Sequence, residues 1–158
     1  MRNVVVFVLI TGLFSSSAAG RQGRGAAGNA TVKACSFVPK DLALKVSGAA
    51  NKRIFDLPPD EQPVGKGSAC DYGDIRLQID PFPWATLDAS AKKDKTWMQV
   101  SGVGDGAWFR ESRNFAELMG HVGERTFTIQ LGVPVPSPPG GMKQNAITLA
   151  NSIVPKLK

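Results

Sequence analysis

The chain has little of what most catalytic and metal sites are built from. It contains one histidine, His121, and two cysteines, Cys35 and Cys70, in 158 residues. A zinc site of nitrogen and sulfur ligands needs about four such residues, and a catalytic triad needs a histidine beside its nucleophile. The G-x-S-x-G motif is also absent from the sequence. The sequence therefore predicts no catalytic residue, no metal ligands and no cofactor.

A long apolar run is missing as well. The most apolar stretch, 4–14, has about eleven residues, whereas spanning a bilayer takes about eighteen or more. Arg2 precedes it, and the small residues Ser17 and Ala19 follow it in an A-x-A-like pattern. This order is typical of a secretory signal peptide. We expect a cleaved signal at 1–19, export to the periplasm or the cell exterior, and no stable membrane insertion.

The part of the chain expected to fold has little excess charge, although the whole chain carries +6. From Cys35 onward, 15 basic residues face 13 acidic ones, which leaves +2. Segment 20–34, GRQGRGAAGNATVKA, predicts a flexible lead. A nucleic-acid partner is therefore not expected. The predicted organisation is a signal, this lead, and a single domain at 35–158, which is an ordinary domain size.

Cys35 and Cys70 are an even pair in a chain expected to be exported, and such a pair predicts a disulfide. Closing the loop between them would stabilise the fold by about 4 kcal/mol in the chain-entropy model. The alternative, a reactive thiol, is the less favoured interpretation.

Two hairpins can be predicted together with their register. If Gly73-Asp74 is a two-residue turn with glycine first, Cys70 joins the apolar face of the strand 75–79. This turn pairs Tyr72 with Ile75, Asp71 with Arg76, and Cys70 with Leu77. A turn at Gly123-Glu124 predicts an apolar face of pairs Val122–Arg125, Gly120–Phe127, Leu118–Ile129 and Ala116–Leu131. The opposite face is then mostly polar, with pairs His121–Thr126, Met119–Thr128 and Glu117–Gln130.

Helices are predicted at three places, with strands and loops between them. The ranges are a helix at 39–47, a loop at 49–67, a helix at 84–93, strands at 96–100 and 107–111, a proline-rich connection at 133–141, and a helix at 142–157. The last helix has an apolar stripe of Ile147, Ala150, Val154 and Leu157, broadened by Leu149 and Ile153. The predicted fold class is α+β: an antiparallel sheet of two hairpins plus central strands, helices packed on one face, and one disulfide.

Three further patterns have ordinary structural explanations. The run 102–107 fits G-x-G-x-x-A, but a strand composition follows it, so we expect a bend between strands rather than a dinucleotide site. Asp71, Asp74 and Asp80 are the nearest set for calcium, yet strand pairing and a turn explain them. Five aromatic residues are more simply explained as core residues than as the lining of a ligand cleft. They are Tyr72, Phe82, Trp84, Trp97 and Trp108.

The order of features resembles a small cell-envelope domain of unknown function known from actinobacterial lipoproteins. It rests on Cys35 before a short helix ending at Gly48, the second cysteine in SACDYG, the run VSGVGDGAWF, and the final amphipathic helix. The resemblance implies an α+β sandwich and carries no catalytic residues. This chain differs from it in having a cleavable signal and no lipobox around Cys35.

Two functions follow as expectations. The first is an exported, non-enzymatic domain that binds a ligand or an envelope protein. The alternative is a secreted hydrolase using His121 with a serine or carboxylate. A cation-binding module at Asp71 is a third possibility.

Overall fold

The computed structural model describes residues 32–47, 58–132 and 141–158. The predicted signal, most of the flexible lead, the first part of the 49–67 loop and the connection at 133–140 lie outside these residues. Within them the chain forms three α-helices, one 3₁₀ turn and a single antiparallel sheet of seven strands.

The helices are α1 (Lys40–Ser47), α2 (Trp84–Lys93) and α3 (Gly141–Leu157), and the 3₁₀ turn is Ala34–Ser36. The strands are β1 (Asp60–Val64), β2 (Gly67–Tyr72), β3 (Ile75–Ile79), β4 (Met98–Val100), β5 (Gly106–Glu111), β6 (Phe115–Val122) and β7 (Arg125–Gly132). Their order in the sheet is β1-β2-β3-β7-β6-β5-β4. Two meanders, β1 to β3 and β4 to β7, are thus joined along β3 and β7. The α+β prediction is confirmed.

Both predicted hairpin registers are confirmed. Cys70 lies opposite Leu77, and Gly120 lies opposite Phe127. Gly73 and Gly123 begin the two turns with φ of 60° and 56°, a conformation that glycine adopts without the penalty of a Cβ. The two faces of the sheet consequently have the residues that the alternation predicts.

The apolar face carries the core. Its largest fully buried side chains include Phe109, Leu118, Phe127 and Ile129, and α3 packs over them. The buried face of α3 differs from the predicted apolar stripe, because Ile147 and Val154 of that stripe are only half-buried. The buried α3 residues are Met142, Ala146, Leu149, Ala150, Ile153 and Leu157.

The segment at 32–38 is fastened to β2 by three successive inward side chains. Ser68 Oγ accepts the amide of Ala34 at 2.7 Å and lies 2.8 Å from the Val32 carbonyl. Cys70 forms the predicted disulfide with Cys35. Tyr72 Oη donates to the Cys35 carbonyl at 2.6 Å. Val32 and Ala34, which the sequence places in the flexible lead, thus contact β2.

Two local predictions were wrong. The sequence predicts a loop over 49–67, yet β1 forms within this range, although its sequence DEQPV is charged and contains Pro63. β1 is an edge strand, where a proline is tolerated because its missing N–H faces away from the sheet. The helices were expected on one face, which holds for α1 and α3. α2 instead lies on the polar face.

Candidate functional site

α2 covers one side of the polar face. Its first residue, Trp84, stacks on His121 of β6 with ring centroids 4.3 Å apart. One turn later, Asp88 accepts a hydrogen bond of 3.0 Å from the indole N–H of Trp108 on β5. The helix therefore contacts β5 and β6 on this face. Met119 is 3% exposed on this nominally polar face.

The carboxylates at the helix have lowered pKa values. For Asp88, a hydrogen bond from Lys92 is the largest cause of the lowered pKa, and the hydrogen bond from the Trp108 N–H lowers it further. At the end of the helix, hydrogen bonds from the backbone and hydroxyl of Thr96 hold the pKa of Asp94 below its usual value, and the charge of Arg110 lowers it further. Both groups are therefore anions at neutral pH, and each anchors α2 to the sheet.

His121 lies in a structural setting. Its ring stacks on Trp84, and its Nδ1 is 3.2 Å from the carbonyl of Gly123 in the β6–β7 turn. Its cross-strand neighbour Thr126 donates its hydroxyl proton to the Phe82 carbonyl at 2.8 Å. Among the described residues, no serine hydroxyl or carboxylate is hydrogen-bonded to His121. Nothing in this geometry favours the hydrolase alternative.

A row of polar side chains crosses the polar face perpendicular to the strands. The register aligns six directly opposed residues from six strands: Asp60, Asp71, Arg76, Gln130, Glu117 and Arg110. Arg76 pairs with Asp71 at 3.2 Å, and Gln130 donates to Glu117 at 3.2 Å. Arg76 is thus linked to Asp71, and Gln130, Glu117 and Arg110 are linked to one another. The described contacts leave a break between Arg76 and Gln130, and Asp60 is bonded to Gln62 instead.

Arg110 is fully engaged at one end of this row. Its Nε and Nη2 donate to the same oxygen of Glu117 at 3.0 and 2.7 Å, and Nη1 lies 3.5 Å from Asp94. Its guanidinium also stacks on Trp97 at 4.5 Å and faces the ring of Phe115 at 5.5 Å. With three contacts to carboxylates and two aromatic rings beside it, this guanidinium has a structural role.

A cleft of about 380 Å³ opens at the break in the row, and we call it the glycine-gap cleft. Its walls and floor include Asp74, Arg76, Arg110, Phe115, Gln130 and Gly132. Gly132 lies opposite Phe115 in the sheet, and its amide donates to the Asp74 carbonyl at 2.7 Å. A Cβ on Gly132 would come within 3.2 Å of Asp74 Cβ, so a side chain at this position would crowd Asp74 at the edge of the cleft.

Arg76 differs from Arg110 in how many of its donors are used. A guanidinium has five N–H donors, and within the described residues only Nη1 of Arg76 is bonded, to Asp71. Its side chain is 35% exposed and lies on the wall of the cleft. Across the cleft, Phe115 keeps 37% of its surface exposed. The cleft thus places an available guanidinium opposite an exposed aromatic ring.

A second cleft, of about 330 Å³, lies at the other end of the same face, near Phe82. Two of its charged groups, Asp80 and Arg125, are engaged in the fold, while Lys66 and Glu124 are exposed. Asp80, in the left-handed conformation at φ 51°, accepts the Thr126 amide at 2.9 Å and lies 2.7 Å from Arg125 Nε. Arg125 Nε is buried and contacts this carboxylate without an aligned hydrogen bond, and Nη2 is buried with no hydrogen-bond partner in the described part of the chain. Because those atoms are inaccessible, they offer nothing to a ligand entering from solvent.

The remaining candidates from the sequence are dispersed. Asp71 pairs with Arg76 and Asp80 with Arg125, and the ranges 32–47, 58–132 and 141–158 hold no cluster of three or more residues suited to a metal. The run 102–107 is a bend between β4 and β5, as expected. Its Asp105 accepts the Gly123 amide at 2.7 Å and so ties the bend to the neighbouring turn.

The aromatic residues divide between the two interpretations that the sequence allowed. Tyr72 is core, and burial raises the pKa of its hydroxyl, with a smaller contribution from the charge of Glu61. Phe82 is 58% exposed at the second cleft. The three tryptophans are half-buried around α2 rather than in the main core: Trp84, Trp97 and Trp108.

The glycine-gap cleft was not among the predicted sites. The sequence did hold one signal for this cleft: extending the predicted β6–β7 register by one pair places Phe115 opposite Gly132. Arg76 is brought to it by the pairing of β3 with β7, a contact between distant segments that no local pattern specifies.

No helix of the described residues is long and apolar enough to cross a membrane. Comparison with family models, curated proteins and solved structures found no match to this chain.

Proposed function

We propose that this chain is an exported, non-catalytic domain that binds a small ligand in the glycine-gap cleft. The observation that carries the proposal is the cleft itself: about 380 Å³, between an arginine with unused donors and an exposed phenylalanine. Ligand sites for small molecules range from roughly 300 to 1,000 Å³. The Cys35–Cys70 disulfide supports export, because such bonds persist in oxidising compartments.

A small ligand suits this cleft better than an envelope protein does. Stable protein interfaces bury roughly 800 Å² on each partner and have an apolar centre. The cleft is short, and charged residues line it on both sides, namely Asp74, Arg76, Arg110 and Glu117. These features favour a molecule that enters the cleft over a surface that covers it.

The test is a fragment screen read by amide chemical shifts of the ¹⁵N-labelled protein, with two matched variants. Phe115→Ala removes the aromatic wall of the glycine-gap cleft, and Phe82→Ala makes the same change at the second cleft. We expect hits that shift the amides around Gly132, disappear in Phe115→Ala and persist in Phe82→Ala. Hits that map to residues around Phe82, or a diverse set with no saturable shift near Gly132, would overturn the proposal.

A further inference from the structure

We infer that the ligand of the glycine-gap cleft is a small monocarboxylate with an apolar, preferably aromatic, body. This inference rests on the proposed function and adds the chemical class. Its starting point is the difference between the two arginines of the cleft. Arg110 has its donors committed to Glu117 and Asp94, whereas Arg76 has one described contact, through Nη1 to Asp71.

A guanidinium fork matches a carboxylate, because two parallel N–H groups can donate to its two oxygens. Arg76 and Gly132 both line the cleft, so a group bound to the guanidinium would lie in the cleft itself. A partly buried guanidinium also loses less hydration on binding than a fully exposed lysine would. An acidic group of the ligand is therefore expected at Arg76.

The charge balance of the cleft limits that acidic group to one negative charge. Two arginines and two carboxylates line it, and Glu117 is neutralised locally by Arg110. Arg76 is the one other arginine among the described lining residues, so a second negative charge on the ligand would have no matching cation there. Phosphates and other polyanions are disfavoured on this ground.

The opposite wall indicates the apolar body. Phe115 exposes more than a third of its surface, and its ring is fixed on one side by the guanidinium of Arg110. An aromatic ring held this way offers its remaining surface for offset stacking, which adds to the apolar area buried. A carboxylate at Arg76 and a ring at Phe115 can therefore belong to one small molecule spanning Gly132.

The experiment compares phenylacetate with its neutral isostere phenylacetamide and with the dianion phenyl phosphate, by shift titration of the full chain. We expect phenylacetate to bind at least about tenfold more tightly than either, because only it fits the single charged site. Equal affinities for phenylacetate and phenylacetamide would overturn the inference, and this comparison needs no variant.

A second arm uses Arg76→Gln with the exposed Arg113→Gln as its matched control. Arg76→Gln should weaken phenylacetate binding about tenfold or more and leave phenylacetamide unchanged, while Arg113→Gln should alter neither. An unchanged affinity of Arg76→Gln for phenylacetate contradicts the inference. If neutral or cationic fragments bind around Gly132 and carboxylates do not, the ligand class is wrong while the proposed function survives. If no fragment binds there, both fail.

Discussion

The two faces of the sheet are built from the same strands and are used differently. On the apolar face, α1, α3 and the 3₁₀ turn cover a continuous cluster of buried side chains. On the polar face, α2 contacts β5 and β6, and ion pairs join Arg76 to Asp71 and Arg110 to Glu117 across neighbouring strands. Burial of apolar surface is the dominant favourable term in folding, whereas partly exposed ion pairs contribute little. One face therefore supplies most of the apolar burial, and the other holds the cleft to which we assign binding in the proposed function.

The largest expected difference between the faces comes from one substitution made on each. Phe127→Ala removes a fully buried ring and should lower the free energy of unfolding by about 4 to 5 kcal/mol. Phe115→Ala makes the same change on the polar face and should cost less than about 1 kcal/mol. Urea unfolding measures both. Similar losses in the two variants would break the distinction between the faces.

The disulfide should rank next, because it fastens the segment at 32–38 over the apolar face. Replacing both Cys35 and Cys70 by alanine should lower the free energy of unfolding by about 4 kcal/mol, as expected for the loop that they close. The wild type unfolded with its disulfide reduced is the parallel measurement. A loss below about 1 kcal/mol in both would show that this segment is held by Ser68 and Tyr72 without help from the bond.

On the polar face, the Arg110 network should have an intermediate effect. Arg110→Ala leaves Glu117, 12% exposed, with Gln130 as its remaining described partner and should cost about 2 kcal/mol. The exposed Arg113→Ala is the control, with an expected change within about 0.5 kcal/mol. If Arg110→Ala behaves like its control, the polar row contributes nothing measurable to the fold.

The smallest effect concerns the attachment of α2. The pKa of Asp88 is lower in the folded protein than in the unfolded chain, where it is about 3.9. The interactions of ionised Asp88 therefore stabilise the fold at pH values above the unfolded pKa, and this stability is lost as the pH falls through the folded pKa. Asp88→Asn should therefore reduce the loss of stability on acidification below about pH 4. The change at neutral pH should be about 0.5 kcal/mol.

Lys92→Gln should reproduce most of this change in the acid profile, since the hydrogen bond from Lys92 is the largest cause of the lowered pKa. Thermal unfolding at several pH values follows both variants. Profiles that coincide with the wild type would contradict the assigned role of Asp88.

Local features of this fold were predictable from the sequence, and the cleft was not. The hairpins 67–79 and 115–132 carry alternating residues and glycine-first turns, so their registers follow from short-range rules. The pairing of β3 with β7 joins residues about fifty positions apart, and it alone places Arg76 beside Gln130. The burial of Met119 could not be predicted either, because it depends on where α2 packs on the polar face.

The most direct test of the account is the affinity of the folded Phe115→Ala variant for a ligand that binds the wild type at Gly132. We predict a free energy of unfolding within about 1 kcal/mol of the wild type, together with affinity lost by about tenfold or more. An unchanged affinity, or a loss of folding that accompanies the loss of binding, would contradict the separation of a stabilising face from a binding face.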